Sequence, residues 1–123
     1  MVEDEAGVRH LAARLLRALG YEVVEVDGAA AAIEVLDARA RAIDLVLTDV
    51  VMPEMSGPDM VRLLRRTRPN IPVVYMSGYA EHVLGQHGDL NADAPLVPKP
   101  FDLAKLGRAI RHALASIAAD DED

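Results

Sequence analysis

Leu45-Val46-Leu47-Thr48-Asp49-Val50-Val51-Met52-Pro53 is the stretch that decides how this chain folds. An almost wholly apolar run ends on a lone carboxylate, and a turn-forming proline follows four residues later. A buried strand that delivers one carboxylate into a loop has placed that carboxylate for chemistry. Three other polar stations follow apolar runs in the same way: Glu3-Asp4 after Met1-Val2, Ser77 after Val73-Val74-Tyr75-Met76, and Lys99 after Leu96-Val97 and Pro98.

Working outward, the segments between these runs carry helical spacing. Val8, Leu11, Ala12, Leu15, Leu16 and Leu19 share one helix face, and Gly20 stops it. Val23, Val24 and Val26 form a short strand with Glu22 and Glu25 interleaved, which places it at a sheet edge. Asp27 is a cap for a second helix carrying Ile33 and Leu36. Gly57-Pro58-Asp59 opens a third helix, with proline in its first turn and Met60, Leu63 and Leu64 on its apolar side. A fourth helix is expected near Ala80, weakened by Gly85 and Gly88. Asp102 caps a last helix bearing Leu103, Leu106, Ile110, Leu114 and Ile117. Strands alternating with helices imply an α/β fold, a doubly wound parallel sheet with helices on both faces. Sites in such sheets form at the carboxyl ends of the strands. That rule gathers Glu3, Asp4, Asp49, Ser77 and Lys99 into one pocket.

A chain of 123 residues is read as one domain, long enough to bury a real core. Residues 1–118 are assigned to it and residues 119–123 to an acidic, disordered tail. Without cysteine there are no disulfides or thiolate metal sites. A net charge of -7 argues against nucleic-acid or anionic-membrane binding, which needs a cationic surface. No apolar run reaches the length of a membrane span and no signal segment opens the chain, so a cytoplasmic protein without direct membrane contact is expected.

Three carboxylates in one crevice repel: two like charges about 4 Å apart cost roughly 4 kcal/mol at an effective dielectric near 20. Lys99 neutralises one of them. A hard divalent cation with oxygen ligands offsets the rest, and Mg²⁺ is the usual choice beside phosphate. Asp49 is then a nucleophile able to accept a phosphoryl group as an aspartyl phosphate, a transfer that needs positioning and charge neutralisation more than proton chemistry. Ser77 offers a hydroxyl donor to a phosphoryl oxygen.

At this point the residues resemble a known family, the receiver domains of two-component response regulators. Val2-Glu3-Asp4-Glu5, Leu47-Thr48-Asp49-Val50-Val51-Met52-Pro53, Met55-Ser56-Gly57, Met76-Ser77-Gly78-Tyr79 and Lys99-Pro100-Phe101 stand in the family's order and spacing over nearly the whole chain. The wording around Asp49 and Ser77 looks most like receivers attached to hybrid histidine kinases. The resemblance implies a five-stranded flavodoxin-like sheet of order 2-1-3-4-5. It also implies phosphotransfer from a phosphohistidine to Asp49, with a histidine kinase or histidine phosphotransfer domain as partner and a monomer or weak dimer as the state. Asp4 and Asp49 would bind Mg²⁺ directly, Glu3 through water, and Val51 through its backbone carbonyl. Ser77 would be the switch hydroxyl and Lys99 the family's lysine. The reaction would be self-catalysed transfer to Asp49, with slow autodephosphorylation expected from Val51 and Tyr79, and output would come from a population shift in the fourth helix, last strand and fifth helix. A receiver-like interaction module that does not take phosphate is the alternative. A dehalogenase-type phosphatase would need an aspartate where Val51 stands.

The chain departs from the family in three places. Only Met1-Val2 precede the acidic pair, so the first strand reads as truncated, from a clipped or redesigned start or a shifted strand. Leu96 replaces an aromatic switch residue. Val51 has no polar group to position a hydrolytic water, while Tyr79 is placed to shield the phosphoryl group. His10, His82, His87 and His112 are read as surface residues without metal spacing, and Arg62, Arg65, Arg66 and Arg68 as a solvated face of the third helix.

Overall fold

The computed structural model describes residues 1–39, 42–78, 96–99 and 102–121, with only the backbone of Pro98 and residues 116–121. The fourth helix expected near Ala80, and the positions of Tyr79, His82, His87 and Pro100, lie outside the described residues. In chain order the elements are α1 (Ala6–Ala18), α2 (Ala29–Arg39), β1 (Val46–Asp49), α3 (Gly57–Thr67), β2 (Val73–Ser77), β3 (Leu96–Pro98) and α4 (Leu103–Asp121).

The three strands form one parallel sheet of order β1-β2-β3, with Asp49 opposite Met76 and Ser77 opposite Pro98. Every residue of β1 and β2 is buried. Successive side chains in a strand point to opposite faces, and the core divides accordingly. Val46, Val73 and Tyr75 pack with Ala32, Leu36, Met60 and Leu64 of α2 and α3. Leu47, Val74, Met76 and Val97 pack with Leu16 of α1 and Leu106, Ile110 and Ala113 of α4. Two apolar layers with the sheet between them are the reason these strands read as continuous hydrophobic runs.

Beyond β1 the pairing thins to single residues. Val2 makes isolated parallel bridges to both Thr48 and Val26. Val2 N donates to Leu47 O at 2.8 Å, Asp49 N to Val2 O at 3.1 Å, and Val26 N to Met1 O at 2.9 Å. The strand expected over residues 23–26 is therefore a bridge at Val26 rather than a ladder. Where this pairing ends, a cavity of about 710 Å³ opens toward the amino ends of the strands, lined by Val23, Val24, Leu45 and Val46 among others but not by Glu3, Asp4 or Asp49.

Helix ends follow local chemistry. Gly20, at φ 95°, closes α1: Tyr21 N donates to Leu16 O and Gly20 N to Arg17 O, a Schellman pair that requires the left-handed residue glycine supplies. Ser56 caps α3 through Asp59 N at 3.2 Å. Asp102 caps α4, its Oδ1 accepting from Lys105 N at 2.8 Å. The cap of α2 is not Asp27: Ala32 N donates to Gly28 O, so Gly28 holds that position. Leu11, expected inward, is 53% exposed, because the buried line of α1 runs through Ala12, Ala13 and Leu16. Leu103 is likewise 40% exposed, and α4 continues through Ala119, Asp120 and Asp121, where a tail was expected.

Candidate functional site

Four backbone termini converge at the carboxyl ends of the sheet. Asp49 is the last residue of β1 and Ser77 the last of β2. Lys99 directly follows β3, and its N–H donates to Ser77 O at 2.7 Å, fixing one strand end against the other. Glu3 directly follows the bridge residue Val2 and donates its own N–H to Val26 O at 3.1 Å. The loop after Asp49 is held from both sides, by Val50 N on Met76 O and by Gly57 N on Val50 O at 2.7 Å. Gly57 has no alternative there, since a Cβ would collide with the carbonyl oxygen of Asp49.

Side chains then fill the crevice. Lys99 Nζ lies 2.9 Å from Glu3 Oε2 and 3.1 Å from Asp49 Oδ2. The second oxygen of Glu3 accepts from Glu5 N at 3.2 Å, so this carboxylate, fully buried, has both oxygens engaged. Asp4 is exposed, and oxygens of Glu3, Asp4 and Asp49 all lie within 4.8 Å of one another. Asp49 Oδ1 and Ser77 Oγ are buried without a hydrogen-bond partner among the described residues. A buried polar atom without a partner costs free energy, and both belong to residues at the carboxyl edge of the sheet.

Electrostatics follow the geometry. Burial pushes the Asp49 carboxyl up to about 6; Lys99 opposes the shift, while Glu3 and Asp4 add to it. For Lys99 burial acts downward, but the bonds to Glu3 and Asp49 outweigh it and hold the ammonium above its ordinary range. One lysine between two buried carboxylates does not saturate the negative charge. The donor set, all carboxylate oxygens with Asp49 Oδ1 still open, fits a hard divalent cation such as Mg²⁺.

The structure thus brings Glu3, Asp4, Asp49 and Lys99 into contact range and sets Ser77 at the neighbouring strand end. Val51 lies just beyond β1 with its side chain 45% exposed. Sequence reasoning missed a second cluster. Glu25, taken only as a strand-edge acid, accepts from His10 Nδ1 at 2.9 Å and Arg17 Nη2 at 3.2 Å, with Arg9 Nε at 3.9 Å. The available signal was the helical spacing of Arg9 and His10 with Arg17 along α1. Arg65 and Arg68, expected to be solvated, hold the carbonyls of Ile71 and Ile43.

A parallel α/β layer structure with an acid-lined, lysine-bearing crevice at its strand ends is the architecture of receiver domains. The chain belongs to the response regulator receiver domain family, which residues 1–111 match. It is 39% identical over 114 residues to the sensor kinase CckA of Brucella abortus, covering 93% of this chain and 12% of that protein. It is 32% identical over 114 residues to the response regulator receiver protein CpdR of the same organism, covering 93% of each. Among solved structures, the receiver domain of the hybrid histidine kinase CckA superposes with a TM-score of 0.74 at 34% identity, covering 92% of this chain and 94% of that one. The chain spans about an eighth of the sensor kinase it matches, and nearly all of CpdR.

Proposed function

We propose that this chain is a phospho-accepting receiver in a two-component phosphorelay, taking a phosphoryl group from a phosphohistidine onto Asp49. The observation that carries the reading is Lys99 Nζ bridging Asp49 at 3.1 Å and Glu3 at 2.9 Å inside a crevice of three carboxylates. A carboxylate oxygen of Asp49 attacks phosphorus as the bond from phosphorus to the donor imidazole nitrogen breaks, and the imidazole, already protonated on its other ring nitrogen, leaves as the neutral base. Lys99 stabilises charge on the transferring group, and Ser77 Oγ donates to one of its oxygens. Asp4, Asp49, the Val51 carbonyl and, through water, Glu3 would hold Mg²⁺, which supplies charge neutralisation to the phosphoryl oxygens.

The bridges of Val2 to Val26 and Thr48 support a sheet order of 2-1-3-4-5, counting the segments at Val2 and Val26 as the first two strands. Residues 1–118 are proposed as the receiver unit, acting in the cytoplasm as a monomer or weak dimer. The partner is a histidine kinase or histidine phosphotransfer domain, a reading supported by the resemblance to the hybrid kinase receiver. Val51, exposed and apolar, orients no hydrolytic water, so the aspartyl phosphate decays slowly. Val51→Asn should speed that decay, read as loss of label from isolated phosphoprotein.

Incubation with a small acyl phosphate and Mg²⁺, followed by intact mass, tests the function. The expected result is the gain of one phosphoryl group, lost in Asp49→Asn and under chelation. No gain in the native chain, together with no Mg²⁺ binding, would leave a receiver-like interaction module.

A further inference from the structure

Arg9 lies outside the acidic crevice, yet it touches the backbone that builds it. Its Nη1 donates to the carbonyl oxygen of Glu3 at 2.9 Å, and its Nε stands 3.9 Å from Glu25 Oε1. The side chain is only 16% exposed although it carries a full charge. Glu25 is itself engaged by His10 and Arg17, and Arg17 also reaches Val23 O at 3.3 Å. The Glu3 carbonyl belongs to the peptide that joins Glu3 to Asp4. On the far side of that peptide, the Glu3 carboxylate accepts from Glu5 N and Lys99. With the Glu3 N–H on Val26 O, the acidic turn is therefore gripped at four points, of which Arg9 is the one supplied by α1 beyond the turn itself.

We infer that Arg9 is a positioning residue for the acidic pair: anchored on Glu25, it fixes the Glu3–Asp4 peptide so that the Asp4 carboxylate stays within reach of Asp49. This rests on the phosphoacceptor reading of the crevice and adds a residue to it. Geometry and charge predict opposite effects of removing Arg9. As a mere cation near a metal site, Arg9 repels a divalent ion, and its removal would tighten binding. As the clamp on the turn, its removal lets Asp4 wander and loosens binding. Losses of about tenfold are typical when a group that orients a metal ligand is deleted.

The test compares the native chain with Arg9→Ala, Arg9→Lys and Glu25→Gln by two readouts. The first is amide hydrogen exchange of the metal-free protein, watching Glu5 N–H against the sheet amides of Val74 and Asp49. The second is Mg²⁺ titration by calorimetry. Expected for Arg9→Ala is Glu5 exchange faster by about tenfold with Val74 unchanged, and Mg²⁺ affinity weaker by about tenfold. Arg9→Lys keeps the charge but has one compact donor group in place of the planar fork, so it recovers only part of both. Glu25→Gln, which frees Arg9 without touching the turn, moves both in the same direction by less. Unchanged Glu5 exchange overturns the inference, and so does an Mg²⁺ affinity that is unchanged or tighter in Arg9→Ala. Should Val74 exchange rise in Arg9→Ala as much as Glu5, Glu25→Gln decides: Glu5 must still respond there with Val74 protected. If the native chain binds no Mg²⁺ at all, the phosphoacceptor reading fails, while the Glu5 amide still decides what Arg9 does.

Discussion

At Asp49 the carboxylate is ionised against its surroundings. Its folded value is pushed up to about 6, first by burial and then by Glu3 and Asp4, with Lys99 pulling the other way. A carboxyl whose folded pKa exceeds its unfolded value binds more protons when folded, so stability falls as pH rises from the ordinary value of 3.8 to about 6. Above that window the penalty is complete, at most about 3 kcal/mol for a shift of this size. Asp49→Asn in metal-free protein should therefore melt several degrees higher than the native chain at pH 7 and no higher at pH 3. Equal melting temperatures at pH 7 would mean that the Asp49 carboxylate carries no such penalty. The same shift bears on the proposed cation site: Mg²⁺ affinity, read by calorimetric titration, should weaken below about pH 6 as the Asp49 carboxyl protonates.

Elements place these residues, and their ends matter more than their middles. Ser56 and Gly57 begin α3 against the loop that follows Asp49, and Gly57 leaves no room for a Cβ beneath the Asp49 carbonyl. Gly57→Ala must shift either α3 or the end of β1, with a cost of about 2 kcal/mol or more, measured by denaturant unfolding. A cost below about 0.5 kcal/mol would show that the loop yields freely. Strand ends were legible in the sequence because an apolar run that stops on one polar residue is a local signal: Asp49, Ser77 and Lys99 each announce themselves. The helix faces were less so. Leu11 belongs to the right periodicity, but Ala13, small and unremarkable in sequence, takes the inward position beside Ala12. The cap of α2 fell one residue later than an aspartate suggests, because backbone geometry chose Gly28. The cluster about Glu25 joins α1 to a segment fifteen residues away from His10; helical spacing aligns the basic residues of α1, but at that distance it does not name their acidic partner.

For the molecule as a whole, the fold is a device for bringing Glu3 and Lys99, ninety-six positions apart, to 2.9 Å. Among the described residues, the segment before the acidic pair joins the sheet only through the isolated bridges of Val2. Mg²⁺ bound by the folded state alone should therefore stabilise the whole chain, by about 2.7 kcal/mol at a hundredfold excess over its dissociation constant. A thermal melt should rise with Mg²⁺ at pH 7, return on chelation, and respond less in Asp4→Asn; an indifferent melt would contradict metal binding at this crevice. The position that phosphorus reaches is the most direct test of transfer to Asp49. Phosphorylated protein treated with borohydride, which reduces an aspartyl phosphate to homoserine, and then mapped by peptide mass spectrometry should show homoserine at position 49 and at no other aspartate. Homoserine at a different position, or none in protein that has taken up phosphate, would contradict it.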